Sequence, residues 1–333
     1  VAREAIEALA GDGRRRFIFG SVGPGTRLPT LDHVDYQSLE DALTVQCGGL
    51  IAGGVDVILI ETCQDPLQIK AAVNAAKAAR KEAETDAAIQ VSVTVETTGT
   101  LLVGAEIAAA ATIIEALDVP IIGMNCGTGP REMAEHIKWL GNSWRGKISV
   151  VPNAGLPELV DGRTHYPLGA PEMAKWMERF VEEDGIHIIG GCCGTTPAHI
   201  AALDEMLRKR ARGRRPAPVR RSVHWVPSLA SLYQQVPLRQ ENAFLSIGER
   251  CNANGSRKFR RFQEQEDWDG AVGMGREQEK EGSHALDVCT AFVGRDEASD
   301  MTEVISRMRG AVTVPLVLDS TELPVLETAL KLY

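Results

Sequence analysis

Short apolar runs recur along the chain, and each closes on glycine, a polar residue or cysteine: FIFGSVGPG, VDVILIETC, IQVSVTVETTG, VPIIGMNCG, ISVVPNAG and IHIIGGCCG. Between them lie stretches with apolar residues at helical spacing, such as LQIKAAVNAAKAARKEAE. Nearly continuous apolar runs predict strands covered on both faces, and the intervening helices predict a parallel sheet. Strand starts recur every ~30 to 40 residues, the repeat of a (β/α)8 TIM barrel. A doubly wound α/β sheet shows the same alternation; the barrel is the preferred expectation.

Six such units precede residue 200, whereas a closed barrel needs eight, and the chain opens in a helix-like stretch, VAREAIEALAGDG. Residues 1–207 are therefore expected to form a barrel lacking its first two strand-helix units. Residues 208–240 break the pattern. RKRARGRRPAPVRR is basic and contains proline, and HWVPSLASLYQQVPLRQ has no clear period, so this stretch reads as a linker. From residue 241 the alternation restarts with FLSIGER, ALDVCTAF and VPLVLDST, separated by a Gln/Glu-rich helix and by DMTEVISRMRG. The expectation is the first part of a second (β/α)8 barrel over 241–333, truncated at its C-terminal side.

Composition narrows the function. The chain has 333 residues, 44% of them hydrophobic, enough for buried cores. A formal net charge of −9 argues against a nucleic-acid or membrane-surface binder, either of which calls for a basic face. The arginines near 208–221 read as a solvated helix end running into the linker. No apolar run reaches the ~18 residues that span a bilayer, and the opening stretch lacks the regions of a signal peptide, so a cytoplasmic location is expected. Seven cysteines (47, 63, 126, 192, 193, 251 and 289) suit free or metal-bound thiols better than a disulfide framework.

Cys126 closes one strand run, and Cys192 with Cys193 closes another. In a barrel, strand ends gather at one rim, so three thiols distant in sequence converge there. Three thiolates with a free fourth position make a catalytic zinc site, because a closed structural site takes four protein ligands. Gly190, Gly191 and Gly194 permit the bend that adjacent cysteines need to reach one ion. Ordinary buried thiols and a vicinal redox disulfide are the alternatives; Cys47, Cys63 and Cys289 read as packing. Zinc deprotonates a bound substrate thiol, and three cysteinates leave that sulfur electron-rich, which suits alkylation better than hydrolysis.

GMNCGTGP followed by GGCCGTTPAHI resembles the homocysteine-binding barrel of homocysteine methyltransferases, over roughly residues 1–207. The resemblance implies that Cys126, Cys192 and Cys193 hold zinc and that Glu61, in LIETCQD, binds the amino group of homocysteine. Asn125, beside the first ligand, is a further candidate for substrate binding. SVGPGTRLPT resembles the family's third strand and loop.

SIGERCNANGSRKFR, LDVCTAFVGRDE and VPLVLDSTE resemble the first strands of the pterin-binding barrel of cobalamin-dependent methionine synthases. Asp319 matches the family's pterin-binding aspartate, with Asn252 and Asp287 as further pterin contacts. Carboxylates and amides suit the paired donors and acceptors of the pterin edge. Glu249 reads either as a ligand or as a partner of Arg250 or another basic group, and Cys251 stands where the family has threonine. The resemblance implies methyl transfer from methyltetrahydrofolate to cobalamin and then to homocysteine, giving methionine, with methylcobalamin bound by a cobalamin-binding domain outside this chain. The alternatives are a cobalamin-independent enzyme using betaine or S-methylmethionine, and a non-catalytic zinc or thiol-binding protein.

Overall fold

The computed structural model describes residues 2–211 and 219–333. Within RKRARGRRPAPVRR, positions 212–218 lie outside the described residues. The chain divides into two compact units, Val1–Leu102 with Ile114–Trp225, and Val103–Ile113 with Val226–Tyr333.

After α1 (Ala2–Ala8), strands and helices alternate: β1 (Phe19–Val22), α2 (Tyr36–Ala52), β2 (Val57–Cys63), α3 (Pro66–Glu82), β3 (Ala88–Val93), α4 (Ile107–Ala116), β4 (Ile121–Asn125), α5 (Pro130–Ser143) and β5 (Lys147–Val151). A short hairpin, β6 (Glu158–Val160) and β7 (Arg163–His165), precedes α6 (Ala170–Glu183), β8 (Ile188–Ile189) and α7 (Pro197–Ala211). The parallel sheet runs β1-β2-β3-β4-β5-β8. Each strand lies beside the one before it, with no reversal of order. That is the winding of a barrel, whereas a doubly wound sheet reverses at a switch point.

One layer of this sheet is built from small residues. Ser92, Gly123 and Ser149 stand in register across β3, β4 and β5, and a Cβ on Gly123 would lie 2.4 Å from the Ser92 hydroxyl. The polar positions of β3, Gln90 and Ser92, are buried and bonded to each other (3.1 Å), while Ile89, Val91 and Val93 fill the alternate positions. The helices close over the sheet through small side chains: α3 buries five alanines (71, 72, 75, 76 and 79) together with Leu67, Ile69 and Val73.

Asp65, fully buried, ends the β2–α3 turn. Its carboxylate accepts from the Leu67 N–H (2.8 Å), the Thr30 N–H (2.9 Å) and the Thr30 hydroxyl (2.6 Å), capping α3 and tying down the loop after β1. Asp65→Ala orphans the two half-buried Thr30 donors and removes a cap. It is expected to cost about 2–4 kcal/mol in chemical denaturation, against well under 1 kcal/mol for exposed Asp41→Ala.

The stretch expected to be a solvated linker is partly structural. Arg221 places its guanidinium on the carbonyls of Leu140, Gly141, Trp144 and Gly146, satisfying acceptors at the C-terminal end of α5. HWVPSLASLYQQVPLRQ contains an antiparallel hairpin, β9 (Ser228–Ala230) with β10 (Gln235–Pro237). At its turn the Ser231 hydroxyl accepts from the N–H groups of Tyr233 and Gln234. The second unit continues with β11 (Ile247–Asn252), α8 (Arg257–Glu264), α9 (Trp268–Lys280), β12 (Ala285–Cys289), α10 (Glu297–Met308), β13 (Leu316–Leu318) and α11 (Leu323–Leu332). Its parallel sheet runs β11-β12-β13, again in chain order, over a core that includes Phe259, Leu286, Val288, Met301 and Ile305. Among the described residues no helix is long and apolar enough to cross a membrane.

Candidate functional site

β4 ends at Asn125, and the chain then turns sharply: Cys126 (φ 58°) and Gly127 (φ 70°) are both left-handed, and the Thr128 N–H bonds the Cys126 carbonyl at 2.7 Å. A side chain at Gly127 would meet the Thr94 methyl at 2.7 Å, so glycine is required by space as well as by conformation. The loop after β8 is laced to the end of β5. Cys192 N–H bonds Pro152 O (2.8 Å), Ala154 N–H bonds Cys193 O (2.9 Å), and Cys193 N–H bonds the Asn153 side-chain oxygen (3.1 Å).

The two turns bring Cys126, Cys192 and Cys193 together, all three sulfurs lying within 4.8 Å of one another. Cys126 Sγ is 3.8 Å from Cys193 Sγ, which is 3.9 Å from Cys192 Sγ. A tetrahedral zinc with Zn–S bonds of about 2.3 Å requires sulfurs about 3.8 Å apart, so the donor set fits that ion. Cys193 is exposed and the other two are half-buried, which leaves one side of the cluster accessible. Among the described residues this is the one group of three or more metal-capable side chains at such spacing.

The thiols are electrostatically unequal. Cys126 is held down to about 5, first by the hydrogen bond from Cys192, with the Gly127 N–H, Cys193 and Asn153 adding to it against burial. Cys192 is pushed above the ordinary thiol range by its bond to Cys126 and by burial. The cluster therefore holds its first negative charge on Cys126, and Cys192 keeps its proton longest of the two. Tyr166, just beyond β7, lies beside Cys193, and its phenol is raised by desolvation and by the neighbouring thiols.

The Tyr166 ring packs on Gly194 (φ 78°), where a Cβ would stand 2.2 Å from the ring. Gly194→Ala combines strained backbone with this clash and is expected to cost about 2–3 kcal/mol in thermal unfolding. Gly190→Ala, whose Cβ would make only ordinary contact with Val151 at 3.4 Å, is expected to be milder.

Glu61, at the end of β2, is half-buried and accepts from the Ser21 hydroxyl at 2.5 Å. Thr62 beside it is left-handed (φ 60°) and is held by Asn125, whose side-chain oxygen accepts from the Thr62 N–H (2.9 Å) and whose amide donates to the Thr62 hydroxyl (2.8 Å). Asn125, 1% exposed, thus joins the strand end carrying Glu61 to the strand end carrying Cys126. Asn125 is expected on the substrate from its position beside Cys126; in the structure its side chain is engaged with Thr62. Asn153, buried and bonded to the Cys193 backbone, was not singled out. Its signal was the close of the ISVVPNAG run, a polar residue at a strand end.

In the second unit Asn252, the last residue of β11, Asp287, in the middle of β12, and Asp319, just after β13, also converge. The Asn252 amide donates to Asp287 (2.8 Å) and to Asp319 (3.2 Å), while its oxygen accepts from the Asn254 N–H (2.8 Å). Glu249 is exposed, and Arg250 pairs with Glu281 instead of Glu249. Cys251 is fully buried, accepts from the Gln278 amide at 3.2 Å, and is pushed up to about 12 by burial. Cys47, Cys63 and Cys289 are buried thiols, as expected for packing.

These features define a barrel-type α/β protein with a three-thiol centre at its strand ends. The family model for homocysteine S-methyltransferase matches residues 1–207, and the chain belongs to that family. The model for pterin binding enzymes matches residues 248–333. Methionine synthase of Mycobacterium tuberculosis (strain ATCC 25618 / H37Rv) is 45% identical over 331 residues, covering 99% of this chain and 27% of that protein. Methionine synthase of Mycobacterium leprae (strain TN) is 43% identical with the same coverage. The chain thus spans 27% of the length of these curated relatives. The metallated homocysteine methyltransferase MmuM from Escherichia coli shares the fold, with TM-score 0.50 and 23% identity over 61% of this chain and 66% of that one.

Proposed function

We propose that this chain forms the homocysteine-activating and methyltetrahydrofolate-binding part of a cobalamin-dependent methionine synthase. The observation that carries the reading is the three-sulfur cluster, spaced for a tetrahedral ion, on a chain of the homocysteine S-methyltransferase family. Cys126, Cys192 and Cys193 would hold zinc, which when bound supplies the charge that ionises a substrate thiol at neutral pH. Glu61 would take the α-ammonium group of homocysteine, its carboxylate oriented by Ser21. Asn125 ties the ends of β2 and β4, which carry Glu61 and Cys126, to each other across β3, and Asn153 holds the two cysteine loops to each other. The exposed side of Cys193 admits the methyl donor.

Asn252, Asp287 and Asp319 would bind the pterin ring of methyltetrahydrofolate. The resemblance in SIGERCNANGSRKFR and the methionine synthase relatives favour this donor, with cobalamin as carrier on a domain outside this chain, over betaine or S-methylmethionine. The working division is residues 1–207, a linker at 208–240 and residues 241–333. Free thiols at all seven cysteines suit a reducing, cytoplasmic setting.

X-ray absorption at the zinc edge tests the reading. One zinc with three sulfurs, gaining a sulfur when homocysteine is added, is the expected result. An unchanged ligand set would favour a non-catalytic zinc protein, and folded protein that takes up no zinc would reject the site.

A further inference from the structure

Cys289 is as deeply buried as a packing thiol, 2% exposed, but its neighbours are polar. It is the last residue of β12 and pairs in register with Asn252, the last of β11. On its other side Val288 pairs with Leu318, and the Asp319 N–H bonds the Val288 carbonyl (2.9 Å), which puts Asp319 next to Cys289. Side chains alternate across a strand, so Cys289 shares the face of Asp287 and points away from Leu286 and Val288, which enter the core. The bond from the Asn252 amide to Asp319 therefore crosses β12 at Cys289.

The sulfur belongs to the same network. The Asn254 side-chain amide donates to Cys289 Sγ at 3.5 Å, while the Asn254 N–H donates to the Asn252 side-chain oxygen. Burial raises the thiol above its ordinary range against the pull of the Ala291 N–H, and the Asp319 and Glu297 carboxylates add to the rise. Cys289 thus keeps its proton at neutral pH, beside a carboxylate that shares the Asn252 amide with Asp287. A carboxylate held by a donor on each side is oriented before a ligand arrives, which lowers the ordering cost of binding. Cys251 has no such place: it pairs with Val288, on the opposite face, and turns to Gln278.

We propose that Cys289 is a positioning residue of the second unit's site: its S–H donates to the Asp319 carboxylate and, backed by Asn254, fixes that carboxylate in the orientation that receives the ring. This rests on the pterin reading of Asn252, Asp287 and Asp319. Asp319 would touch the ligand, and Cys289 would act through it.

A double-mutant cycle read by calorimetric titration with methyltetrahydrofolate tests the assignment, with circular dichroism to confirm that each variant is folded. Cys289→Ala is expected to weaken binding about fivefold, the scale of one modest hydrogen bond. Cys289→Ser keeps a donor at the same place and should stay within about twofold of the wild type. In an Asp319→Ala background, Cys289→Ala should change the affinity no further, because a residue that works through a carboxylate has nothing to do without it. Wild-type affinity in Cys289→Ala, a serine variant as weak as the alanine one, or a loss that recurs undiminished without Asp319 overturns the positioning role alone. Failure of the wild-type chain to bind methyltetrahydrofolate, or undiminished binding in Asp319→Ala, overturns the pterin reading and the positioning role with it.

Discussion

Cys192→Ser is expected to leave the protein folded and all but free of zinc at stoichiometric metal. Cys192 is half-buried at the start of a loop held by backbone bonds, and a serine keeps those bonds and nearly the same volume. What it loses is a thiolate. The cluster offers three sulfurs, so one substitution leaves two soft donors and an alcohol that does not ionise near neutral pH. Loss of an outer hydrogen-bond partner already costs a metal site ~10–100-fold in affinity, and loss of a ligand should exceed that. The measurement is zinc content after dialysis against a competing chelator, with circular dichroism as the check on folding. The pH dependence is a second readout: loading must displace the proton that Cys192 retains, so uptake releases protons and weakens as pH falls. Full zinc content in Cys192→Ser would sink the three-thiolate centre.

The cysteines were legible because their signal is local. A thiol closing an apolar run is visible without the fold, and the regular repeat of strands is enough to bring three such closures to one rim. Asn252 and Asp319 are legible in the same way, at or just after strand ends, whereas Asp287 sits in the middle of β12 and joins them through the Asn252 amide. Asn153 and Tyr166 escaped because their importance lies in partners far along the chain, at Cys193 and Gly194. Asn125 stands beside Cys126 as a candidate ligand, yet its side chain reaches past β3 to β2, where Thr62 takes up both ends of its amide, a partner that no local pattern displays. The hairpins β6–β7 and β9–β10 left no period to read because each strand has only three residues. Arg221 looked solvated because its acceptors are backbone carbonyls, which no sequence pattern displays.

Asp319→Ala is expected to weaken binding of methyltetrahydrofolate by roughly 30–1000-fold, a loss of about 2–4 kcal/mol. Asp319 and Asp287 share a single neutral donor, the Asn252 amide, so two carboxylates face one another with one N–H₂ group between them. Such an arrangement gains from a ligand that brings further donors, as the amino-pyrimidine edge of a pterin does. Removing Asp319 deletes the acceptor for those donors and frees one Asn252 hydrogen, so the ring meets a donor where it needs an acceptor. Asn252→Ala acts differently: both carboxylates remain, but their shared donor is gone and their mutual repulsion is unrelieved until ligand binds. Asp319 is exposed at the end of β13, so Asp319→Ala should leave the melting temperature nearly unchanged. Zinc content should also stay unchanged, because the thiols belong to the other unit. Titration with methyltetrahydrofolate, paired with a zinc assay on the same preparation, checks both halves of the expectation. Undiminished folate affinity in Asp319→Ala would remove the carboxylate pair from the site and leave the second unit without a pterin-binding centre.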